Sequence, residues 1–303
     1  MAVTHAKSTD ARALKLAVGP ILYLWDRSAT LAFYAGLCDA PVDIVYLGEV
    51  VCSKRRVMQK EDWPAVARAL ELAGKQVVFS TLALTEAESE LATMGRIIEQ
   101  APGLFEANDM AAVGYANGRA FVAGPHLNVY NAATLAFLAA RGARRWVAPV
   151  ELPLATLATL AASRPEGLEI EVFAYGRLPL AFSARCFTAR AHNRPKDECG
   201  FICGDYPDGI TLYSREDQPF LTLNGIQTQS AAVQAATHID ALRAAGVDIL
   251  RLSPQSQGFD AVIAAYRAAI DTNAAIATLP EPVLPGGYCD GYLRGVAGID
   301  HAG

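Results

Sequence analysis

VDIVYLGEVVCSKRRVMQKEDWPAVARALELAGKQVVFST, residues 42–81, decides the fold. VDIVYLGE (42–49) is a near-continuous apolar run rich in β-branched residues, which suits a strand covered on both faces. Asp62 to Ala73 places apolar residues at helical spacing, with Asp62 in the N-cap position and Gly74 ending the helix. QVVFST (76–81) is a second buried strand. Strand, helix and strand in this order, with short connections, make a parallel βαβ unit.

The same rhythm extends in both directions. LAVGPIL (16–22) is a strand before it, followed by a helix over 26–38. After it come LFEAN (104–108), AFVAGP (120–125), RWVAPVE (145–151) and LEIEVFAYG (168–176) as strands, each preceded by a helix: 86–100, 109–116, 131–142 and 154–163. A long irregular stretch then interrupts the alternation, holding two short β-like pieces at 211–214 and 219–226. A helix over 230–245, the strand VDILRLS (247–253) and a helix over 259–270 complete the pattern. Eight such units predict an α/β fold, a (β/α)8 TIM-like barrel with an irregular cysteine-bearing insertion after strand seven. A doubly wound open sheet is the alternative. The expected organisation is a flexible tail over 1–15 and a single barrel domain over 16–303. That domain includes the Cys-rich insertion 177–227 and a Pro/Gly-rich C-terminal wrap, 279–303.

Composition narrows the function. Hydrophobic residues make up 52% and charged residues 19% of the chain, which describes a large buried core. A net charge of −5 gives no reason to expect nucleic acid or an anionic membrane as partner. The chain reads as not membrane-spanning, since no apolar run reaches the roughly 18 residues a membrane helix needs. The start, MAVTHAKSTDARALK, lacks the apolar core of a secretory signal, so the expected location is cytoplasmic. Six cysteines in such a setting point to metal or redox chemistry rather than a disulfide framework.

Three of those cysteines, Cys186, Cys199 and Cys203, lie in RCFTARAHNRPKDECGFIC (185–203). Arg185, Arg190, Arg194 and Lys196 surround them, a setting expected to favour the thiolate. In a barrel, strand C-termini share one face, so Cys52, just past strand two, should meet the three loop cysteines there. Four thiolates suit a structural zinc or an iron–sulfur cluster. Structural zinc usually pairs two short C-x-x-C knuckles; here one distant cysteine is followed by wider intervals, which favours the cluster. Cys38 sits on an apolar helix face and reads as a small hydrophobe. Cys289, in a Gly-rich segment, stays outside the site. His126 reads as a hydrogen-bonded histidine at the barrel mouth rather than a ligand. The run Lys54–Arg55–Arg56 suits charge compensation or anion binding as well as a solvated surface. There is no Walker loop, dinucleotide fingerprint, HExxH or nucleophile elbow.

Several segments carry a resemblance: GPILYLW (19–25), YLGEVVCSKRR (46–56), STLAL (80–84), LPLAFSARCFTAR (178–190), RPKDEC (194–199), LNGIQT (223–228), RLSPQ (251–255) and CDGYLRGVAG (289–298). Over residues 16–298 the chain resembles the collagenase-like peptidase family of unclassified catalytic type, and within it the ubiquinone-biosynthesis members. That resemblance implies a barrel subunit acting as a heterodimer with a UbiU-like sister subunit, in oxygen-independent hydroxylation of the ubiquinone ring. It also implies a lipid-carrier accessory protein that delivers the ubiquinone precursor. It implies one 4Fe-4S cluster per chain, on Cys52, Cys186, Cys199 and Cys203. Where some relatives are expected to carry a further cysteine between the last two ligands, this chain has GFI (200–202). Catalytic residues stay unassigned; Glu49, Arg55, His126 and Arg185 are the candidates for lining the substrate path. Despite the family's name, no nucleophile–base pair or hydrolytic metal motif supports proteolysis. The rival readings are a hydrolase barrel with a structural zinc, and a non-catalytic scaffold subunit.

Overall fold

The computed structural model describes residues 13–301. Strands and helices alternate as β1 (Lys15–Val18), α1 (Arg27–Asp39), β2 (Ile44–Leu47), α2 (Asp62–Leu72), β3 (Gln76–Ser80), α3 (Glu88–Gln100), β4 (Phe105–Ala107), α4 (Met110–Tyr115), β5 (Phe121–Ala123), α5 (Ala132–Ala140), β6 (Ala143–Val147), α6 (Leu154–Ala162) and β7 (Glu169–Phe182). Then come α7 (Phe187–Ala191), β8 (Ile210–Tyr213), β9 (Pro219–Asn224), β10 (Gln227–Ala235), α8 (Ile239–Ala244), β11 (Ile249–Leu252), α9 (Phe259–Thr272), β12 (Tyr288–Cys289) and α10 (Gly291–Arg294). The expected tail over 1–15 ends earlier, since Lys15 already pairs in β1; residues 1–12 lie outside the described residues.

Eight parallel strands, β1 to β7 and β11, form a closed barrel. β1 pairs with β2 and runs on neighbour by neighbour to β7, and β11 closes the circle between β7 and β1. The closing register sets Ile249 opposite both Lys15 and Glu171. The main apolar core lies between the strands and the outer helices, built on residues such as Leu16, Tyr34, Phe105, Leu138, Leu250 and Tyr266. Ala17, Ile44, Tyr46, Val78, Val122, Val147 and Ile249 form a smaller apolar cluster. Helices start where a short polar side chain takes an orphan N–H. Asp26 accepts from Ala29 N at 2.8 Å, Asp109 from Ala111 N at 2.7 Å and Asn131 from Thr134 N at 2.9 Å.

Two sequence expectations are corrected. Asp62 is the first residue of α2 and not its cap. Its carboxylate accepts from Gln59 N and pairs with Arg27, whose Nη2 lies 2.6 Å away. The helix expected over 230–245 is a strand up to Ala235, and only Ile239–Ala244 is helical. The alanines of SAAVQAA favour a helix locally, yet β10 is held on two sides. Val233, Gln234 and Ala235 pair with Arg177, Gly176 and Tyr175 of β7, while Ser230 pairs with Leu221 of β9. Inter-strand pairing in a buried setting outweighs a propensity worth tenths of a kcal/mol per residue.

The insertion is also larger than the 177–227 expected. β7 does not stop at the barrel rim: it is 14 residues long in all and runs on to Phe182. β10 returns antiparallel beside it, β9 and β8 follow, and β12 from the C-terminal segment pairs with β10. The cysteine loop thus hangs on a sheet that grows directly out of a barrel stave.

Candidate functional site

The barrel rim and the β7–β10 extension hold the four cysteines together. Cys52 lies in the turn after β2, where Glu49 Oε1 accepts from Val51 N at 2.8 Å and Cys52 N at 3.0 Å. Gly48 makes that turn feasible: its φ is +110°, and a Cβ there would sit 2.8 Å from Ser80 O. Cys186 caps α7, its Sγ accepting from Ala189 N at 3.4 Å. The tip of the β9–β10 hairpin grips this helix. Gly225, at φ +62° in a two-residue turn, accepts at its carbonyl from Phe187 N and donates to Thr188 Oγ1. Cys199 and Cys203 flank a short turn around Phe201, in which Ile202 N donates to Cys199 O at 3.3 Å.

The loop is tied back to the barrel by ion pairs. Lys54 Nζ lies 2.6 Å from Asp197 Oδ1, and Lys196 pairs with Glu86 ahead of α3. Arg55, 6% exposed, is the internal anchor. It donates to Leu22 O at 2.7 Å and to Asn224 Oδ1 at 2.8 Å, and stands 3.8 Å from Glu49 Oε1. Its positive charge also opposes the effect of burial on the Cys203 thiol.

Cys52, Cys186, Cys199 and Cys203 all line one cavity of about 20 Å³, together with Lys54, Arg55 and Thr188. Their side chains come from three separate parts of the chain. Cys38 and Cys289 lie elsewhere: Cys38 packs against the main core, and Cys289 is fully buried in β12. The basic neighbourhood does not by itself lower Cys52 or Cys203. Burial pushes Cys52 and Cys203 up, and the opposing pull of Arg55 is smaller. A metal bound there would have to displace these protons. Among the described residues, no three His, Cys, Asp or Glu side chains already stand close enough to hold an ion. The cavity has room for about one water-sized occupant. The donor set itself, four sulfurs with a backbone N–H on that of Cys186 and the Arg55 side chain in the same lining, suits a thiolate-ligated metal or cluster.

A second cavity, of about 270 Å³, fills the barrel mouth. Every barrel strand contributes to it, from Gly19 after β1 to Ser253 after β11, and residues 179–182 of the β7 extension roof it. Its floor is a charged network. Arg251 Nη1 lies 2.7 Å from Glu106 Oε1, and its Nε donates to Glu171 Oε1 at 2.6 Å. Tyr46 OH donates to Glu171 Oε2 at 2.6 Å, and Arg145 bridges to Glu169 at 2.8 Å. Arg251 also lies 4.0 Å from the Tyr46 ring centre. His126 sits at the wall with its ring edge-on to Phe182, and burial pushes its pKa down to about 4. A third space, a wide groove of about 1130 Å³, runs between α2 and α3 past Trp63, Met58 and Met94.

The four substrate-path candidates therefore do not form one group. Glu49 and Arg55 line the wide groove, Arg55 the thiol cavity as well, His126 the barrel mouth, and Arg185 is exposed and lines none of the three spaces. Glu106, Glu171, Arg145 and Arg251 as one network were missed by sequence reasoning. Their signal was present: charges inside otherwise apolar strands, as in LFEAN, RRWV, LEIEVF and ILRLS.

A closed (β/α)8 barrel with a thiol-rich lobe on its seventh strand is the class of protein defined here. The chain belongs to peptidase family U32, which it matches over residues 31–283. Among solved structures it is similar to the U32 peptidase Mk0906, at 8% identity and a TM-score of 0.46, over 84% of this chain and 98% of that one. It is likewise similar to a putative fructose-1,6-biphosphate aldolase from Coccidioides immitis, at 12% identity and a TM-score of 0.41, over 90% of this chain and 82% of that one. Dihydropteroate synthase from Thermus thermophilus matches at 15% identity and a TM-score of 0.41, over 87% of this chain and 94% of that one. Among the described residues no helix is long and apolar enough to cross a membrane.

Proposed function

We propose that this chain is a UbiV-like iron–sulfur subunit of an oxygen-independent ubiquinone-ring hydroxylase, working with a UbiU-like sister subunit and a lipid-carrier protein. The observation that carries the reading is the meeting of Cys52, Cys186, Cys199 and Cys203 on one cavity. When bound, a 4Fe-4S cluster would supply one-electron chemistry beside the barrel mouth. The chain's own part is to hold four thiolates, offset their charge with Arg55 and Lys54, and keep water away. Leu22, Val50, Val51, Ala189 and Ile226 pack against the cysteines for that last purpose.

The test is anaerobic purification followed by iron, acid-labile sulfide and zinc analysis of one sample. About four irons and four sulfides per chain are expected, and a Cys186→Ala protein should lose them. Full iron retention in that variant overturns the ligand assignment. The second reading is a structural zinc in a hydrolase or scaffold barrel, which the small cavity favours. It gives about one zinc, no colour and, for a hydrolase, peptide turnover.

A further inference from the structure

The wide groove of about 1130 Å³ has a definite length and section. It opens beside the thiol turn, where Trp25, Glu49 and Ser53 line it, and ends past the foot of α3 at Gln100 and Pro102. It therefore follows α3, whose 13 residues span about 20 Å. Volume over length gives a mean section of about 55 Å². An α-helix with its side chains is about 10–12 Å across, a section of about 95 Å². A helix laid in the groove thus sinks to roughly half its depth, burying one face and leaving the other in water. The interior suits an apolar face: Ile21, Met58, Trp63, Ala67, Met94 and Ile97 line it, and methionines adapt to the shape of an incoming helix.

The charge on the groove runs against that of the chain. Arg55, Arg56, Lys60, Arg68 and Arg96 line it against Glu49, Glu71 and Glu90, on a chain whose net charge is −5. Arg55 faces Glu49, while Glu90 accepts from Ser53 Oγ and from Glu86 N at 2.7 Å. Arg56, Lys60, Arg68 and Arg96 are exposed and form no ion pair among the described residues. They stand on both walls: Arg68 on α2, Arg96 on α3, and Arg56 and Lys60 in the turn that leads into α2. A lipid brings its charge at one end, whereas an amphipathic helix carries charged side chains along both flanks of its apolar stripe. An extended segment needs a strand edge to pair with, and both walls here are helices whose backbone groups are already spent.

We propose that the groove between α2 and α3 receives an amphipathic α-helix of a partner protein, its apolar stripe inside and acidic residues on both flanks. This surface goes beyond the ubiquinone reading and does not rest on it. The helix that fills it matches α3 in length, at about 13 residues. Its upper end lies against Glu49, which holds the Cys52 turn, and Arg55, which joins the barrel to the lobe.

The test is fluorescence anisotropy of a labelled peptide of about 15 residues, with leucine at i, i+3, i+4 and i+7 and glutamate on both flanks of that stripe. Its twin carries lysine in place of every glutamate, and phosphatidylglycerol vesicles are the third probe. The glutamate peptide should bind the full-length protein at least about tenfold more tightly than its twin, with the gap narrowing at high salt. The double variant Arg68→Glu/Arg96→Glu should reverse that order; both side chains are exposed, so the fold is kept. Ile97→Asn should weaken both peptides by about fivefold or more, with circular dichroism unchanged. Equal affinity for the two peptides, or an order that the double variant leaves unchanged, would overturn the proposal. Vesicle binding that the double variant abolishes, with no peptide binding, overturns it as well and assigns the groove to a lipid surface.

Discussion

Replacing Arg55 with methionine keeps the side-chain length and removes the charge that joins the cysteine lobe to the barrel. The guanidinium donates to Leu22 O and Asn224 Oδ1, both buried, and faces Glu49. Leu22 O keeps a second donor, Asn224 Nδ2 at 2.8 Å, so its loss is partial. Asn224 Oδ1 is left without this donor, and Glu49 keeps only backbone N–H groups. A hydrogen bond from a charged donor is worth about 1.5–3 kcal/mol, and breaking a buried ion pair costs about 3–5 kcal/mol. Arg55 Nε is already unpartnered and Glu49 is 24% exposed, which pulls the sum to the lower end, about 3 kcal/mol. Urea unfolding at pH 7.5 should show that loss, with Arg55→Lys intermediate. The deficit should narrow as pH falls toward 5. Burial already raises the Glu49 carboxyl, and without Arg55 it rises further and takes up a proton more readily. A loss under about 1 kcal/mol, independent of pH, would refute the anchoring role.

Two further perturbations test neighbouring parts. Gly48→Ala places a Cβ 2.8 Å from Ser80 O at φ +110°, so it should cost about 1–3 kcal/mol or more in urea unfolding; an unchanged midpoint contradicts the turn geometry. His126 has a folded pKa of about 4, below its unfolded value near 6.5. Its stabilising contribution is complete above pH 6.5 and is lost as pH falls toward 4, because the unfolded chain binds the proton first. Partial solvent access at the mouth limits the effect to about 1–2 kcal/mol. His126→Asn should flatten the stability–pH curve in that window; parallel curves for the two proteins rule the account out.

The barrel was legible because parallel strands covered on both sides write themselves as apolar runs, and each was followed by a helix with a cap or a stop. β10 was not legible, since what makes Ser230–Ala235 extended is the edge offered by β7, far away in sequence. Asp62 looked like a cap because its type and place fit one, while Arg27 and Gln59 N drew its carboxylate elsewhere. The cysteine meeting was legible from residue type and strand ends. The mouth was not: that Arg251 reaches both Glu106 and Glu171 depends on which partners packing gives it.

The pairing of β10 with β12 ties the lobe to the far end of the chain. Val233 and Gln234 sit beside Tyr288 and Cys289, and Val233 N donates to Gly287 O at 2.8 Å. All four cysteines, the β9–β10 hairpin and the β7 stave precede that last strand in sequence, yet this edge of β10 is completed only by residues 287–289. A chain cut before residue 287 would keep every thiol and leave those backbone groups of β10 unpaired.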